Sequence, residues 1–141
     1  MSSHEELVKH IYNSLLNKAK ERRLRLKSLD VDRIYTIVRK GKTMTLNMDI
    51  ALTLESEAFG VLFVFEAKTG SQEQKARKQL LGLKKVLLEF RNRLSAFYSL
   101  EYAEVKLYWV SDEQNRIVNV ETGDETAYSE FLTDPFDFIL R

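Results

Sequence analysis

From Met44 to Leu54 the chain alternates without interruption, with Met44, Leu46, Met48, Ile50, Leu52 and Leu54 on one side and Thr45, Asn47, Asp49, Ala51 and Thr53 on the other. A period of two belongs to β-strands, so the segment predicts a half-buried strand with its apolar side on a core. The next segment, Val61 to Thr69, is almost wholly apolar until Glu66 and Lys68 and predicts a strand covered on both faces. An antiparallel hairpin turning between Glu57 and Ala58 opposes Leu54 to Val61, Leu52 to Phe63, Ile50 to Phe65 and Met48 to Ala67, which closes the apolar side without exception. On the other side that register sets Ala51 beside Val64, Asp49 across from Glu66 and Asn47 across from Lys68.

Two carboxylates facing each other across a ladder, with Cβ atoms roughly 4.5–5.5 Å apart, repel. A divalent cation is the natural compensator, because a hard ion such as Mg²⁺ takes one or two carboxylates together with waters and a substrate phosphate. Lys68, on the same face as Glu66, adds a positive charge able to orient or deprotonate a water and to stabilise charge building on phosphorus. Together these residues outline metal-assisted hydrolysis of a phosphodiester. The plainer alternative is that Glu66 and Lys68 form an ordinary ion pair at a strand end and Asp49 is a polar residue of an alternating strand.

The rest of the chain supplies the frame. Ser3-His4-Glu5-Glu6 has the form of a capping box, and Leu7, Ile11, Leu15 and Ala19 follow every four residues, so a first helix is expected from about residue 4 to about 22. Val31 to Arg39 is β-branched and aromatic, a first strand. Ser71-Gln72-Glu73-Gln74 is a second capping box and opens a long helix carrying Ala76, Leu80, Leu83, Leu87, Phe90, Leu94 and Phe97 as a stripe, either core or a dimer seam. Ala103 to Trp109 alternates as a fourth strand, Arg116 to Glu121 adds a fifth, and Glu125 to Arg141 reads as a short helix interrupted by Pro135. The order α-β-β-β-α-β with a C-terminal extension predicts an α/β fold, a mixed sheet flanked by helices.

Composition narrows the chemistry. The 141 residues are one domain's worth, and five glycines and one proline leave no room for a linker. There is no cysteine, which excludes disulfides, thiolate zinc sites and cysteine nucleophiles, and two histidines, His4 and His10, leave little for a histidine-based metal site or a Ser-His-Asp triad. Carboxylates and lysines must therefore carry any chemistry. No apolar run approaches the roughly 20 residues of a spanning helix, so an intracellular, cytoplasmic protein without membrane contact is expected. The net charge of +1 conceals a segregation: residues 1–98 hold 19 Lys and Arg against 11 Asp and Glu, a balance of +8, and residues 99–141 hold 3 against 10, a balance of −7. The basic part is a footprint suited to a polyanion, although charges on helices are more often simply a solvated face and the acidic tail weakens the argument for the whole chain.

The element order, Asp49 and Glu66-Ala67-Lys68 together resemble the PD-(D/E)xK nuclease superfamily, the restriction-endonuclease-like fold. The resemblance covers about residues 4–110 and leaves 111–141 as a C-terminal extension of a single domain, 1–141. It implies that Asp49 and Glu66 bind Mg²⁺ or Mn²⁺ with help from the Ala67 carbonyl, and that Lys68 serves the water nucleophile. Gln79 is similar to a helix glutamine found in some branches, whose tyrosine four residues later is Leu83 here; Met48 stands where the motif has proline. Glu5 and Glu6 are accounted for by capping and the helix dipole, and His10 is structural or exposed unless it acts as a ligand, as a histidine does in the related cap-snatching endonucleases. The implied activity is a metal-dependent nuclease acting on nucleic acid, DNA first. The alternative is a catalytically inactive nucleic-acid or protein binding module on the same fold. A homodimer is also expected, because Phe131, Phe136 and Phe138 look like more apolar surface than a terminal helix needs.

Overall fold

Ser3 caps the first helix: its hydroxyl accepts the backbone N–H of Glu6 at 3.2 Å. The structure, a computed structural model, describes residues 3–55, 60–68, 73–98 and 101–141. The expected turn between Glu57 and Ala58, Thr69, the capping residues Ser71 and Gln72, and the side chain of Phe97 lie outside these described residues. Helix α1 (His4–Glu21) buries Leu7, Val8, Ile11, Leu15 and Ala19 along one stripe. Strands β1 (Leu26–Arg39), β2 (Lys42–Leu54) and β3 (Val61–Lys68) follow, then helices α2 (Glu73–Glu89) and α3 (Arg91–Tyr98), and strands β4 (Glu104–Ser111), β5 (Arg116–Asn119) and β6 (Glu125–Ala127). Helices α4 (Tyr128–Thr133) and α5 (Pro135–Ile139) close the chain.

The fold is α/β: a six-stranded mixed sheet in the order β1-β2-β3-β4-β5-β6, flanked by helices. Only the β3–β4 pair is parallel, as a connection through helices requires; the other neighbours are antiparallel. Lys40 and Gly41 both have positive φ, 51° and 76°, and join β1 to β2 by a two-residue turn whose twist suits a tight hairpin. On one side of the sheet α1, α4 and α5 cover Ile50, Leu52, Leu54, Phe63 and Phe65; on the other α2 covers Leu46, Met48, Ala51, Val64 and Trp109.

Several expectations are corrected here. Strand β2 is not half-buried with one apolar side. It is buried throughout from Met48 to Leu54, and its alternation changes side near Asp49, so that Leu46 and Met48 join the α2 core while Ile50, Leu52 and Leu54 join the α1 core. The change coincides with an irregularity in the neighbouring strand: from Ser28 to Arg39 every β1 residue pairs with β2 except Asp32, which would oppose Asp49 and has a left-handed φ of 50°, with the register the same on either side. Strand β1 also begins earlier than expected, at Leu26.

The long helix is two. A kink at Phe90 separates α2 from α3, although Phe90 N–H still donates to Val86 and Leu94 N–H to Phe90, both at 3.0 Å, and Leu94 reaches the same core as Leu87. That stripe is thus core of its own domain rather than a dimer seam. In the C-terminal segment β6 adds a sixth strand, and Pro135 opens α5 instead of interrupting a helix, in keeping with a first-turn position that needs no N–H. Phe131, Phe136 and Phe138 are 1%, 0% and 5% exposed and pack on the α1 side of the sheet, so the exposure that suggested a two-fold interface is absent.

Candidate active site

Strands β2 and β3 pair from Thr53–Leu62 to Ile50–Phe65, in the register the apolar pattern demands. Beyond that pair a side chain continues the junction between the strands. Oδ2 of Asp49 accepts the backbone N–H of Ala67 at 2.9 Å, and Asp49 is only 7% exposed. The change of side in β2 explains how the carboxylate reaches that position: where the alternation slips, a side chain can lie between the strands rather than above or below them.

Asp49, Glu66 and Lys68 all line one cleft of about 720 Å³, and Gln79 borders it from α2. Its walls are the far part of the β1–β2 ribbon, with Arg39, Met44 and Asn47, and the α2 surface, with Gly82, Leu83 and Lys85. Lys68 Nζ stands 3.0 Å from Glu66 Oε1. Burial and then the charge of Asp49 push the Glu66 carboxyl above the ordinary carboxylate range, against the opposing pull of Lys68. The Ala67 side chain is fully buried while its N–H anchors Asp49.

The sequence reading overlooked His4. Its Nε2 lies 3.5 Å from Asp49 Oδ1, and His4, Asp32 and Asp49 offer ligand atoms within 4.8 Å of one another. No local pattern marks this group, since its members come from the first turn of α1, from β1 and from β2; the only hint is that Asp32 falls opposite Asp49 once the β1–β2 turn is fixed. The histidine considered from sequence, His10, is exposed and is not among the cleft's lining residues. Glu5 borders a smaller adjoining groove with His4, Tyr12 and Asp32, and Glu6 is exposed.

The donors fit a hard or borderline divalent cation. Carboxylates of Asp49 and Glu66 are oxygen ligands of the kind Mg²⁺ and Mn²⁺ accept, whereas the group of ligand atoms within 4.8 Å of one another among the described residues is His4, Asp32 and Asp49, without Glu66, and its imidazole suits Mn²⁺ better than Mg²⁺; Ala67 is not among the cleft's lining residues. Elsewhere three basic residues of the first part pair with the acidic C-terminal part: Arg22 with Asp134, Lys27 with Glu101 and Lys84 with Glu121. In the cleft Arg39 pairs with Glu89 at 3.1 Å, whereas Lys85 has no ion-pair partner among the described residues. Trp109 and Tyr108 are buried in the two cores rather than presented for stacking. No helix among the described residues is long and apolar enough to cross a membrane. No family model, curated protein or solved structure matches this chain.

Proposed function

We propose that the chain is a metal-dependent nuclease of the PD-(D/E)xK type, with a restriction-endonuclease-like topology, hydrolysing phosphodiester bonds in nucleic acid and in DNA first. The observation that carries this reading is that Asp49, Glu66 and Lys68, read from a strand register, border one cleft, with Lys68 held 3.0 Å from Glu66. The β1–β2–β3 meander followed by a helical crossover to a parallel β4 supports it.

Asp49 and Glu66 would hold Mg²⁺ or Mn²⁺ with the Ala67 carbonyl, and His4 and Asp32 would extend the donor set on the other side of Asp49. A cation bound there supplies a polarised phosphoryl oxygen and a water of lowered pKa. The protein's own part is positional. The Ala67 N–H fixes the Asp49 carboxylate, so that it need not be ordered when substrate arrives. The Lys68 ammonium, 3.0 Å from Glu66 Oε1, would hold the attacking water and offset charge on the phosphoryl oxygens. Lys85 and Arg39 sit where flanking phosphates would pass.

A second reading, a binding module without catalysis, draws on one observation: both Asp49 oxygens already face protein groups, the Ala67 N–H and His4. A gel assay of linear, circular, single-stranded and branched substrates with Mg²⁺, Mn²⁺ or EDTA separates the two. Cleavage that needs the cation and disappears in Lys68→Ala supports the nuclease; binding without cleavage under all these conditions rejects it.

A further inference from the structure

Gly82 occupies the middle of α2, where glycine costs a helix about 1 kcal/mol relative to alanine. Nothing in the described structure asks for it. A Cβ placed there meets no atom within 4 Å, and its φ is not left-handed, so neither packing nor a turn explains the residue. What the missing side chain does is leave the helix backbone bare towards the cleft, which Gly82 lines between Gln79, one turn earlier, and Val86, one turn later. Bare backbone of this kind is where a ligand approaches closely.

The surroundings indicate which ligand. Met44 from the ribbon and Leu83 from α2, both half-buried, border the same space with apolar surface a few residues from the carboxylates. A duplex presents phosphates and sugars outward and keeps the faces of its bases stacked inside, so an apolar shelf beside the scissile centre meets sugar carbons or a thymine methyl in a duplex but no base face. An unpaired base offers a flat apolar face and a polar edge. Gln79 carries both a donor and an acceptor for that edge, and Lys85, with no ion-pair partner among the described residues, provides a cation for the phosphate beyond. The cleft, about 720 Å³, lies within the range of pockets for small ligands, roughly 300–1,000 Å³, and has room for a base.

We infer that the wall formed by Gly82, Leu83 and Met44 receives an unpaired base, so that the substrate is single-stranded nucleic acid; this rests on the nuclease reading above. Among the described lining residues there is no phenylalanine, tyrosine or tryptophan, so the base lies against backbone and aliphatic groups and its identity matters little.

The test compares cleavage of oligo(dT), oligo(U) and a blunt duplex in Mn²⁺ by the wild-type chain and by Gly82→Leu, which fills the bare patch with a good helix former. The expected result is faster cleavage of one or both single strands than of the duplex, and a loss of about tenfold or more on single strands in Gly82→Leu, with a melting temperature no lower than wild type. The two single-stranded arms tell DNA from RNA. Duplex cut as fast as either single strand, or single-strand cleavage unchanged in Gly82→Leu, overturns the inference while leaving the nuclease standing. Absence of cleavage on all three substrates overturns the inference, and the nuclease reading falls with it only if the branched and circular substrates are also left uncut with Mg²⁺ and with Mn²⁺.

Discussion

Asp49 Oδ2 accepts the backbone N–H of Ala67 at 2.9 Å, while Glu66, the residue before Ala67, carries the carboxylate whose proton Asp49 helps to retain. One aspartate therefore both ties β2 to β3 and charges the site. Repulsion between two carboxylates suggests from sequence alone that removing either leaves the metal-free protein at least as stable. The hydrogen bond divides that expectation in two. Glu66→Gln should keep or raise the melting temperature, whereas Asp49→Ala strands a buried N–H and should cost about 1–3 kcal/mol. Asp49→Asn retains an acceptor and should fold near wild type. All three should lose cation-dependent cleavage. Thermal melts without metal, read beside the gel assay, check this; an Asp49→Ala chain as stable as wild type would show that the bond contributes nothing.

The raised Glu66 pKa sets a direction for pH. The folded protein holds that proton more tightly than the unfolded chain, so below the ordinary value of 4.5 both states are protonated and the group is neutral in both. As pH rises through that value and above it, the unfolded chain ionises first and the folded state loses stability relative to it. The melting temperature of Glu66→Gln should therefore gain on wild type between about pH 4 and pH 7. Added Mg²⁺ should reduce the gap at the upper end. A gap that is constant across the range would mean that burial and Asp49 do not act on this carboxyl.

Among the described residues His4 is the one histidine lining the cleft, with Nε2 3.5 Å from Asp49 Oδ1. Imidazole binds Mn²⁺ better than Mg²⁺, which prefers oxygen. His4→Ala should weaken Mn²⁺ by about tenfold or more, the usual scale for a lost ligand or its neighbour, and leave Mg²⁺ nearly unchanged. Titration calorimetry with both ions decides it. Equal losses for the two would make His4 a structural partner of Asp49 only.

How much of this was legible differs residue by residue. The pairs Ile50–Phe65 and Leu52–Phe63 follow from apolar alternation, because one wrong step would turn a whole strand inside out; the ladder ends at Ile50–Phe65, so the expected oppositions of Met48 to Ala67, Asp49 to Glu66 and Asn47 to Lys68 are not among its pairs, and Met48 and Ala67 lie in different cores. The neighbourhood of Asp49 could not be read that way. Its change of side accompanies a left-handed Asp32 on another strand, and a non-glycine residue in that conformation leaves no periodic trace. His4 reaches the site through the packing of α1 against the sheet, which a capping box does not report. The kink at Phe90 interrupts no hydrophobic spacing, so seven stripe positions read as one helix. Gly82 was plainly visible, but its meaning depends on which way that helix face points.

The C-terminal phenylalanines show the limit of reading exposure from composition, and they also give the sharpest check on the fold. Phe131 and Phe138 meet edge to face at 6.5 Å, Phe131 lies 6.0 Å from Phe65, and Phe138 lies 5.8 Å from Tyr108, which in turn stacks on Phe65 at 5.1 Å. The terminal helices thus complete the core that β3, β4 and α1 begin, and Phe136, wholly buried beside them, should be among its costliest positions. Phe136→Ala should destabilise by about 3–5 kcal/mol, transfer and cavity included. The same ring in a two-fold interface would also destabilise when truncated, but through association, and its melting temperature would then rise with protein concentration. A loss of the expected size that is independent of concentration over the micromolar range, with sedimentation unchanged from wild type, assigns Phe136 to the core of its own chain; a concentration-dependent loss would restore the interface and place a second copy against α5.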